Sequence, residues 1–318
     1  MIEKIDPSQN IIKNSDIKHS RVWTTLITNT KYLTGLLTLN YSLQKTGSKY
    51  PLVALYTEGL NEEGHRVLDD RGILKLKIEY LLPTKNKDYS QDPRFYDCWS
   101  KLQPFSLVQF DKIVQLDSDM IVLQNMDELF ELDLNSTTRC FAASHACVCN
   151  PYKYNHYPKD WIKENCAFTN YNDKLNDPND EVLGPKPSDE PLGICNGGLQ
   201  VVKPNQELYN KIIKTLDNDD LILNYEFADQ SLLSDIFKSN WIGISYIYNY
   251  LKTLKQVHRD LDFGKVKNIH YILTPKPWDI KPEDRLKFND ESDTFKYWWD
   301  VNDERLLEEE KQGIKDGY

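Results

Sequence analysis

The stretch KIVQLDSDMIV, residues 112–122, decides how this chain is interpreted. A mostly apolar run precedes Asp117, and three apolar residues follow Asp119. Burying a carboxylate without a partner is costly. Two carboxylates, separated by one residue within a stretch that is otherwise predicted to be buried, therefore indicate a ligand or a counter-charge at this point.

The residues before this stretch alternate between strand and helix patterns. Predicted strands lie at 21–28, 51–57, 75–81 and 112–117; helical patterns lie at about 29–46, 61–73 and 99–110, the last kinked or begun at Pro104, and 83–97 is predicted to be a loop. This alternation is typical of an α/β fold with a mainly parallel sheet. Ligands of such sheets bind at the carboxyl ends of the strands, which is where Asp117 and Asp119 lie.

The second half of the chain predicts an insertion and then further regular structure. Residues 145–195 are rich in Asn, Pro, Asp, Tyr and Cys, and we expect a surface insertion that could cover the site. Strands are predicted at 197–202, 241–249 and 266–272, and helices at 205–216 and 227–237. The predicted organisation is a flexible N-terminal arm (1–20) and one domain (21–318) with the insertion at about 145–195 and a helical extension at about 280–318, packed by Trp298 and Trp299.

Composition and missing motifs exclude several classes of function. The net charge of -10 over 318 residues argues against nucleic acid as the main partner. No apolar run approaches the roughly 20 residues of a membrane span, and the polar N-terminus does not resemble a signal peptide. We therefore expect no membrane association and a cytoplasmic location. The sequence also lacks the common dinucleotide, Walker A, serine hydrolase and zinc protease motifs.

Five of the six cysteines fall within residues 140–195. Their number is too small for a disulfide framework. A zinc or iron site is conceivable, but the Cys-x-Cys spacing of Cys147 and Cys149 is not that of a standard zinc knuckle. The sequence favours buried, reduced thiols.

Asp117 and Asp119 are candidate metal ligands. Other Asp-x-Asp patterns begin at Asp217 and Asp260, but their polar surroundings predict solvated surfaces. Two carboxylates at a strand end suit Mn²⁺, with Mg²⁺ as an alternative, and such an ion often completes its shell with substrate phosphate. The alternative is a helix N-cap followed by a surface turn.

A histidine and a lysine follow in IHYILTPKPW, residues 269–278. His270 closes a predicted strand and could complete the metal shell, and Lys276 could bind a phosphate as a point charge. The alternative for His270 is an ordinary core residue.

Two further motifs could contact a sugar. Asn196, Gly197 and Gly198 could allow close approach of the backbone to a ligand, or they could form a β-turn. Asp229 and Gln230 open a predicted helix, where they could bind sugar hydroxyls or, for the acid, cap the helix.

Taken in order, these motifs resemble the family-8 retaining glycosyltransferases, the group of glycogenin and galactinol synthase, over residues 21–280. The resemblance implies a single GT-A type, Rossmann-like nucleotide-sugar-binding domain that uses a UDP-sugar donor and Mn²⁺, and it suggests a homodimer. This chain has Leu273 where glycogenin-like members have glycine, which affects a backbone contact to the diphosphate.

The resemblance also implies a role for each matching residue. Asp117, Asp119 and His270 would bind the metal, and Asp229, Gln230, Lys276 and Lys101 would be catalytic. The donor would contact Leu26, Thr28, Asn29 and Tyr32 through its uridine, Ser118 through its ribose, Asn196, Gly197 and Gly198 through its sugar, and Lys101 and Lys276 through its phosphates.

The subgroup can be narrowed by the segment in which glycogenin glucosylates its own tyrosine. The corresponding residues 251–270 contain no tyrosine, and Tyr250 lies only at the edge. The Cys-rich insertion and the phrases LGPKP, FADQSLL and VKNIHYI are more similar to galactinol synthase, which implies a small polyol acceptor such as myo-inositol. The alternatives are a self-glucosylating primer, a transferase acting on a glycan or protein, and a non-catalytic UDP-sugar-binding protein.

Overall fold

A seven-stranded mixed sheet positions the site. The computed structural model describes residues 17–85, 87–90, 93–169, 182–187, 192–288, 290 and 293–318. Its strands are β1 (Arg21–Ile27), β2 (Leu52–Tyr56), β3 (Leu74–Lys77), β4 (Lys112–Leu116), β5 (Met120–Val122), β6 (Phe141–His145), β7 (Cys195–Val202), β8 (Ile242–Gly243), β9 (Tyr250–Leu251) and β10 (Asn268–His270). The large sheet has the order β3-β2-β1-β4-β7-β6-β8, and β5-β10-β9 form a small second sheet.

The first four strands of the large sheet are parallel, as predicted. β1 pairs in parallel with β2 and with β4, and β2 pairs in parallel with β3. β7 runs antiparallel to both β4 and β6. The carboxyl ends of β1 and β4 therefore open onto the same edge of the sheet, and Asp117 follows β4 at that edge.

Helices flank the sheet. They are α1 (Leu33–Lys45), α2 (Glu62–Asp69), α3 (Arg94–Cys98), α4 (Gln206–Leu216), α5 (Asp219–Ile222), α6 (Ala228–Phe237), α7 (Leu254–Val257) and α8 (Phe295–Lys311). Asparagine side chains cap the N-termini of three of them. Asn61 accepts from the Gly64 N–H, Asn205 from the Glu207 and Leu208 N–H groups, and Asn218 from the Leu221 N–H. These caps satisfy N–H groups that a helix cannot pair internally.

Helix α1 packs between the Asp-Ser-Asp loop and α8. A Cβ added at Gly35 would come 2.4 Å from the Ser118 carbonyl oxygen, so only glycine allows this close approach. On the other side, the Thr38 hydroxyl donates to the Asn302 side chain over 2.8 Å. Trp298 and Trp299 of α8 are buried, as predicted, and each contributes on the order of 3 kcal/mol of stability by its burial.

Several predicted elements were wrong in extent. The strand predicted at 241–249 is only Ile242–Gly243, followed by a 3-10 helix at Tyr246–Tyr248. Residues 244–249 are all buried, so no alternation of polar and apolar residues marks their conformation. The predicted loop at 83–97 contains α3, and the predicted helix at 99–110 is a 3-10 helix, Trp99–Ser106, in which Pro104 cannot donate a backbone hydrogen bond.

The predicted insertion does not run only over the surface. Val148, Cys166 and Phe168 are buried against the core. Residues 170–181 and 188–191 of the insertion, and residues 1–16 of the predicted arm, lie outside the described residues. The division into arm, domain, insertion and extension remains a prediction.

Candidate active site

Three predicted metal ligands come together at the end of β4. The His270 Nε2 atom lies 3.2 Å from the Asp119 Oδ1 atom and 3.6 Å from the Asp117 Oδ2 atom. β10 and β5 pair His270 with Met120, which brings the histidine beside both acids. Asp119 and His270 are buried, so the alternative of a surface turn does not describe this loop. Two carboxylates and an imidazole at this spacing could hold a divalent cation.

A chain of buried amides orients the His270 ring. His270 Nδ1 lies 2.9 Å from the Asn249 Oδ1 atom, and the Asn249 amide donates over 2.9 Å to the Asn196 Oδ1 atom. Such a bond fixes the ring so that Nε2 points at the ligand position. Sequence reasoning missed Asn249. Its only signal was a polar amide inside the apolar run from Tyr246 to Leu251.

Each acid of the pair has a lysine partner. The Lys101 Nζ atom lies 2.7 Å from an Asp117 oxygen. Lys276 donates to the Asp119 carboxylate and, over 2.8 Å, to the Tyr271 carbonyl oxygen. The two ammonium groups supply the counter-charge that the sequence required at this point.

The charge of the partner residue shifts the pKa of Asp119 in one ion pair and the pKa of Lys101 in the other. Burial alone would raise the pKa of Asp119, but the charges of Lys276 and His270 outweigh burial and hold that pKa well below its usual value. Burial alone would lower the pKa of Lys101, but Asp117 outweighs it and the pKa is raised well above its usual value. Asp119 is therefore a carboxylate and Lys101 an ammonium at neutral pH.

Asp229 lies in a different environment from the other acids. Burial raises its pKa to about 7, while the positive charge of Lys101 partly opposes this increase. Its Oδ2 atom accepts a long hydrogen bond of 3.4 Å from the Gln200 amide. The N-cap of α6 is Phe227, so the alternative in which the Asp229 side chain caps the helix is not observed.

Asp229→Asn is expected to change how stability depends on pH. An acid whose pKa rises from 3.8 in the unfolded chain to about 7 in the folded chain makes folding less favourable as pH increases between these values. At about 1.4 kcal/mol per pKa unit, the loss approaches 4 kcal/mol by pH 7, and the amide removes it. Denaturant unfolding of both proteins from pH 4 to 8, with EDTA present, should show the variant gaining stability relative to the native protein as pH rises. Parallel curves would contradict the assignment.

The Asn196, Gly197 and Gly198 motif is part of a strand. All three residues belong to β7, which excludes the alternative of a β-turn. The Gln230 Oε1 atom accepts from the Gly197 N–H over 3.3 Å, which holds the glutamine at the strand. A Cβ at Gly198 would lie 2.3 Å from the His270 ring, so this glycine makes room for the ring.

Gly198→Ala is expected to weaken metal binding by about 10- to 100-fold, because the added methyl group displaces His270 from its Asn249 partner. Calorimetric titration with Mn²⁺ in the presence of UDP measures the effect. Gly264→Ala is the matched control, since its added methyl group meets only the Asp262 side chain outside the cleft. Equal affinities in the two variants would show that His270 does not depend on Gly198.

Every predicted donor contact except Lys276 lines the same cleft as the candidate metal ligands. Around it lie Leu26, Thr28, Asn29, Tyr32, Lys101, Asp117, Ser118, Asp119, Asn196, Gly197, Gly198, Asp229, Gln230 and His270. Lys276 lies behind Asp119 and is 3% exposed. Ser118 is tied to β1 by a 3.0 Å bond to the Thr25 hydroxyl, and Thr28 donates to Asp97, an acid that sequence reasoning missed.

Aromatic residues from the insertion form one wall of this cleft. Tyr154, Tyr157 and Trp161 line it together with Phe227. The Trp161 and Phe227 rings stack with centroids 4.5 Å apart. This wall was not predicted residue by residue, because Phe227 is distant in sequence from the other three residues.

Leu273 has a backbone conformation that favours glycine. Its φ angle is 63°, in the left-handed region that a leucine rarely adopts. Leu273 also lines the cleft. The departure from glycine at this position therefore leaves the backbone turn in place and adds an apolar side chain to the cleft.

A sequence profile described as glycosyl transferase family 8 matches residues 24–281. The match covers both carboxylates, the histidine and the two lysines of the site. The chain belongs to glycosyl transferase family 8.

Curated members of this family are similar to the chain over most of its length. Galactinol synthase 1 of Arabidopsis thaliana is 29% identical over 314 residues, which cover 96% of this chain and 84% of that protein. Galactinol synthase 1 of Solanum lycopersicum is 30% identical over 298 residues, which cover 91% and 84%. An uncharacterized protein of Acanthamoeba polyphaga mimivirus, R707, is 29% identical over 86% of this chain and 87% of its own length.

Solved glycosyltransferases share the fold at low identity. The bifunctional glycosyltransferase WbbM has a TM-score of 0.59 at 16% identity, covering 90% of this chain but only 50% of that longer chain. The galactosyltransferase LgtC, solved with donor and acceptor sugar analogs, has a TM-score of 0.57 at 14% identity, covering 89% and 96%. The predicted GT-A type α/β fold is confirmed.

Within the part of the chain that the structure describes, no helix combines the length and apolar character needed to cross a bilayer.

Proposed function

We propose that this family-8 glycosyltransferase moves a hexose from a UDP-sugar to a small polyol, with myo-inositol as the candidate acceptor, and that it retains the anomeric configuration. The observation that carries the proposal is the convergence of Asp117, Asp119 and His270 with two lysines, the partly buried Lys101 and the buried Lys276, at one end of the cleft. Such a set suits a divalent cation and a diphosphate together.

The proposed metal would be Mn²⁺, with Mg²⁺ as an alternative, held by Asp117, Asp119 and His270. Bound there, the ion would act as a Lewis acid toward the departing diphosphate. Lys276 and Lys101 would meet the remaining negative charge as ammonium groups. Their stabilisation of the diphosphate increases as the sugar–phosphate bond breaks, which accelerates the step.

The arrangement supports attack from the same face as the leaving group. Asp229 is 3% exposed and its carboxylate lies directly beneath Gly197, because a Cβ there would come 2.4 Å from its Oδ2 atom. The Asp229 carboxylate also lines the cleft, and its crowding by Gly197 favours a group that accepts hydrogen bonds from the sugar over one that forms a covalent sugar intermediate. In the proposed step a leaving phosphate oxygen accepts the proton of the acceptor hydroxyl, while Asp229 and Gln230 hold the sugar.

The acceptor assignment rests on the relatives and on the aromatic wall. Several similar proteins are named galactinol synthases. The wall of Tyr157, Trp161 and Phe227 gives the cleft an apolar side that could pack against the carbon faces of a ring-shaped polyol and exclude water. The expected cytoplasmic location and homodimer remain predictions.

A self-glucosylating primer is less well supported. Tyr250, the tyrosine nearest to the segment that glycogenin modifies, is fully buried in β9 and is not available as an acceptor. Intact mass after incubation with UDP-glucose separates the two functions, since a primer gains a ladder of hexose increments.

The test is UDP release from UDP-galactose, UDP-glucose and UDP-N-acetylglucosamine, measured with Mn²⁺ and with or without myo-inositol. We expect one donor to be preferred, inositol to stimulate release, and EDTA to abolish it. Release without stimulation by inositol would keep the donor and reject the acceptor. Absence of both release and UDP binding would reject the function.

A further inference from the structure

Three cysteines of the insertion meet a histidine that is distant from them in sequence. The His258 Nε2 atom lies 3.1 Å from the Cys149 sulfur, 3.4 Å from the Cys166 sulfur and 3.9 Å from the Cys147 sulfur. The Cys147 and Cys166 sulfurs are 4.0 Å apart. All four candidate ligand atoms fall within 4.8 Å of one another. The four residues, Cys147, Cys149, Cys166 and His258, are called the Cys3His cluster below.

The spacing within this cluster matches the edges of a tetrahedron around zinc. Zn–S bonds of about 2.3 Å and Zn–N bonds of about 2.0 Å place neighbouring ligand atoms roughly 3.5 to 3.8 Å apart. The four separations given above, 3.1 to 4.0 Å, lie around these values, and the two remaining sulfur–sulfur separations are at most 4.8 Å. A disulfide would instead require two sulfurs at about 2.05 Å, and all six cysteines are free thiols.

The four residues of the cluster are buried or partly buried. Cys166 and His258 are each 1% exposed, and the His258 ring packs edge-on against Phe168 at a centroid distance of 5.9 Å. Cys147 and Cys149 are partly buried. The ligand types also differ from those of the active site, because thiolates favour zinc or iron–sulfur chemistry whereas the carboxylates of Asp117 and Asp119 favour Mn²⁺ or Mg²⁺.

We propose that the Cys3His cluster binds one structural Zn²⁺ ion that fastens the insertion to the catalytic domain. Four protein ligands complete the tetrahedral shell and leave no position for substrate, which is the arrangement of a structural site. Three thiolates and a neutral imidazole give the loaded site a net charge of about -1 by simple charge counting. The unusual Cys-x-Cys spacing concealed this site in the sequence, because the fourth ligand, His258, follows Cys149 by 109 residues.

The position of the cluster indicates what the bound ion would do for the cleft. Cys147 also lines the cleft, and the aromatic wall of Tyr157 and Trp161 lies in the loop between Cys149 and Cys166. A metal that joins both ends of this loop to the residue following α7 would hold the wall against the cleft. The sulfur cluster therefore stabilises the pocket without taking part in the reaction.

The first test measures the metal content of the full-length protein after extensive dialysis against metal-free buffer without a chelator. We expect about one zinc per chain in the native protein, in Cys140→Ser and in Asp119→Asn. Cys166→Ser and His258→Ala are expected to lose it. Cys140 is the matched control, a buried thiol outside the cluster, and Asp119→Asn shows that the zinc does not occupy the active site.

The second test needs no variant, so it remains decisive if the variants fail to fold. Replacement of zinc by Co²⁺ in the native protein should produce thiolate-to-cobalt charge-transfer absorption together with the intense visible bands of a tetrahedral ion. Native protein without zinc, a disulfide between cluster cysteines in non-reducing peptide mass analysis, or full zinc content in folded Cys166→Ser would each overturn the proposal. Iron in place of zinc would also overturn it. None of these readouts depends on glycosyltransferase activity.

Discussion

Asp119→Asn is expected to lower kcat for the proposed hexosyl transfer by about a thousandfold, because it would remove a negatively charged ligand of the proposed metal while keeping the shape of the side chain. The Asp119 carboxylate faces both His270 and Lys276, so a single substitution disturbs the proposed metal and the diphosphate lysine together. UDP release at saturating Mn²⁺ and donor measures the loss.

The control for this experiment is Asp260→Asn. Asp260 begins another Asp-x-Asp pattern, but its side chain is exposed and lies outside the cleft. We expect native activity from this variant, and far-ultraviolet circular dichroism should show both proteins folded. Activity of folded Asp119→Asn within a fewfold of the native value would reject the metal assignment.

Lys276→Met is expected to lower kcat by about a hundredfold or more, because the leaving diphosphate loses an ammonium group that acts in the transition state. Methionine keeps the length and the apolar stem of lysine. The Tyr271 carbonyl oxygen, which accepts from Lys276 over 2.8 Å, loses that partner, but the Tyr271 backbone is still held by its N–H, which donates over 2.8 Å to the Asp119 carbonyl oxygen. The KM for the donor should change less than kcat, since the interaction strengthens as charge develops.

Lys281→Met controls for the loss of a positive charge near the same loop, since Lys281 is exposed. Steady-state kinetics of both variants with the preferred donor separate the two effects. A Lys276→Met enzyme with native kcat would show that the lysine only neutralises Asp119 in the fold. Equal losses in both variants would point to a general electrostatic effect of the loop.

The sequence predicted those parts of the site whose signals are local. Asp117 and Asp119 interrupt an apolar run, and this signal is visible within eleven residues of sequence. The resemblance of the ordered motifs to family 8 implied that His270 and Lys276 lie beside these acids. The alternating pattern likewise predicted β1, α1 and β2 to within a few residues. Roles for these residues remain predictions, whereas their proximity is observed.

The remaining parts depend on contacts between distant residues. Asn249 orients His270 from the buried turn between the 3-10 helix Tyr246–Tyr248 and β9, where polarity does not alternate. The Cys3His cluster joins residues of the insertion to one after α7, and nothing near Cys147 in sequence indicates His258. The aromatic wall likewise forms only when Phe227 meets Trp161 in space.

The pairing of two carboxylates with two lysines has a consequence for the order of ligand binding. Asp117 with Lys101 and Asp119 with Lys276 already sum to zero charge, so a divalent cation alone would leave uncompensated positive charge in a buried cleft. The diphosphate of the proposed nucleotide-sugar donor would supply the missing negative charge. Each ligand should then raise the affinity of the other by the same factor, as thermodynamic linkage requires. The cation and the nucleotide would enter as a cooperative pair, and the protein would hold little of either by itself.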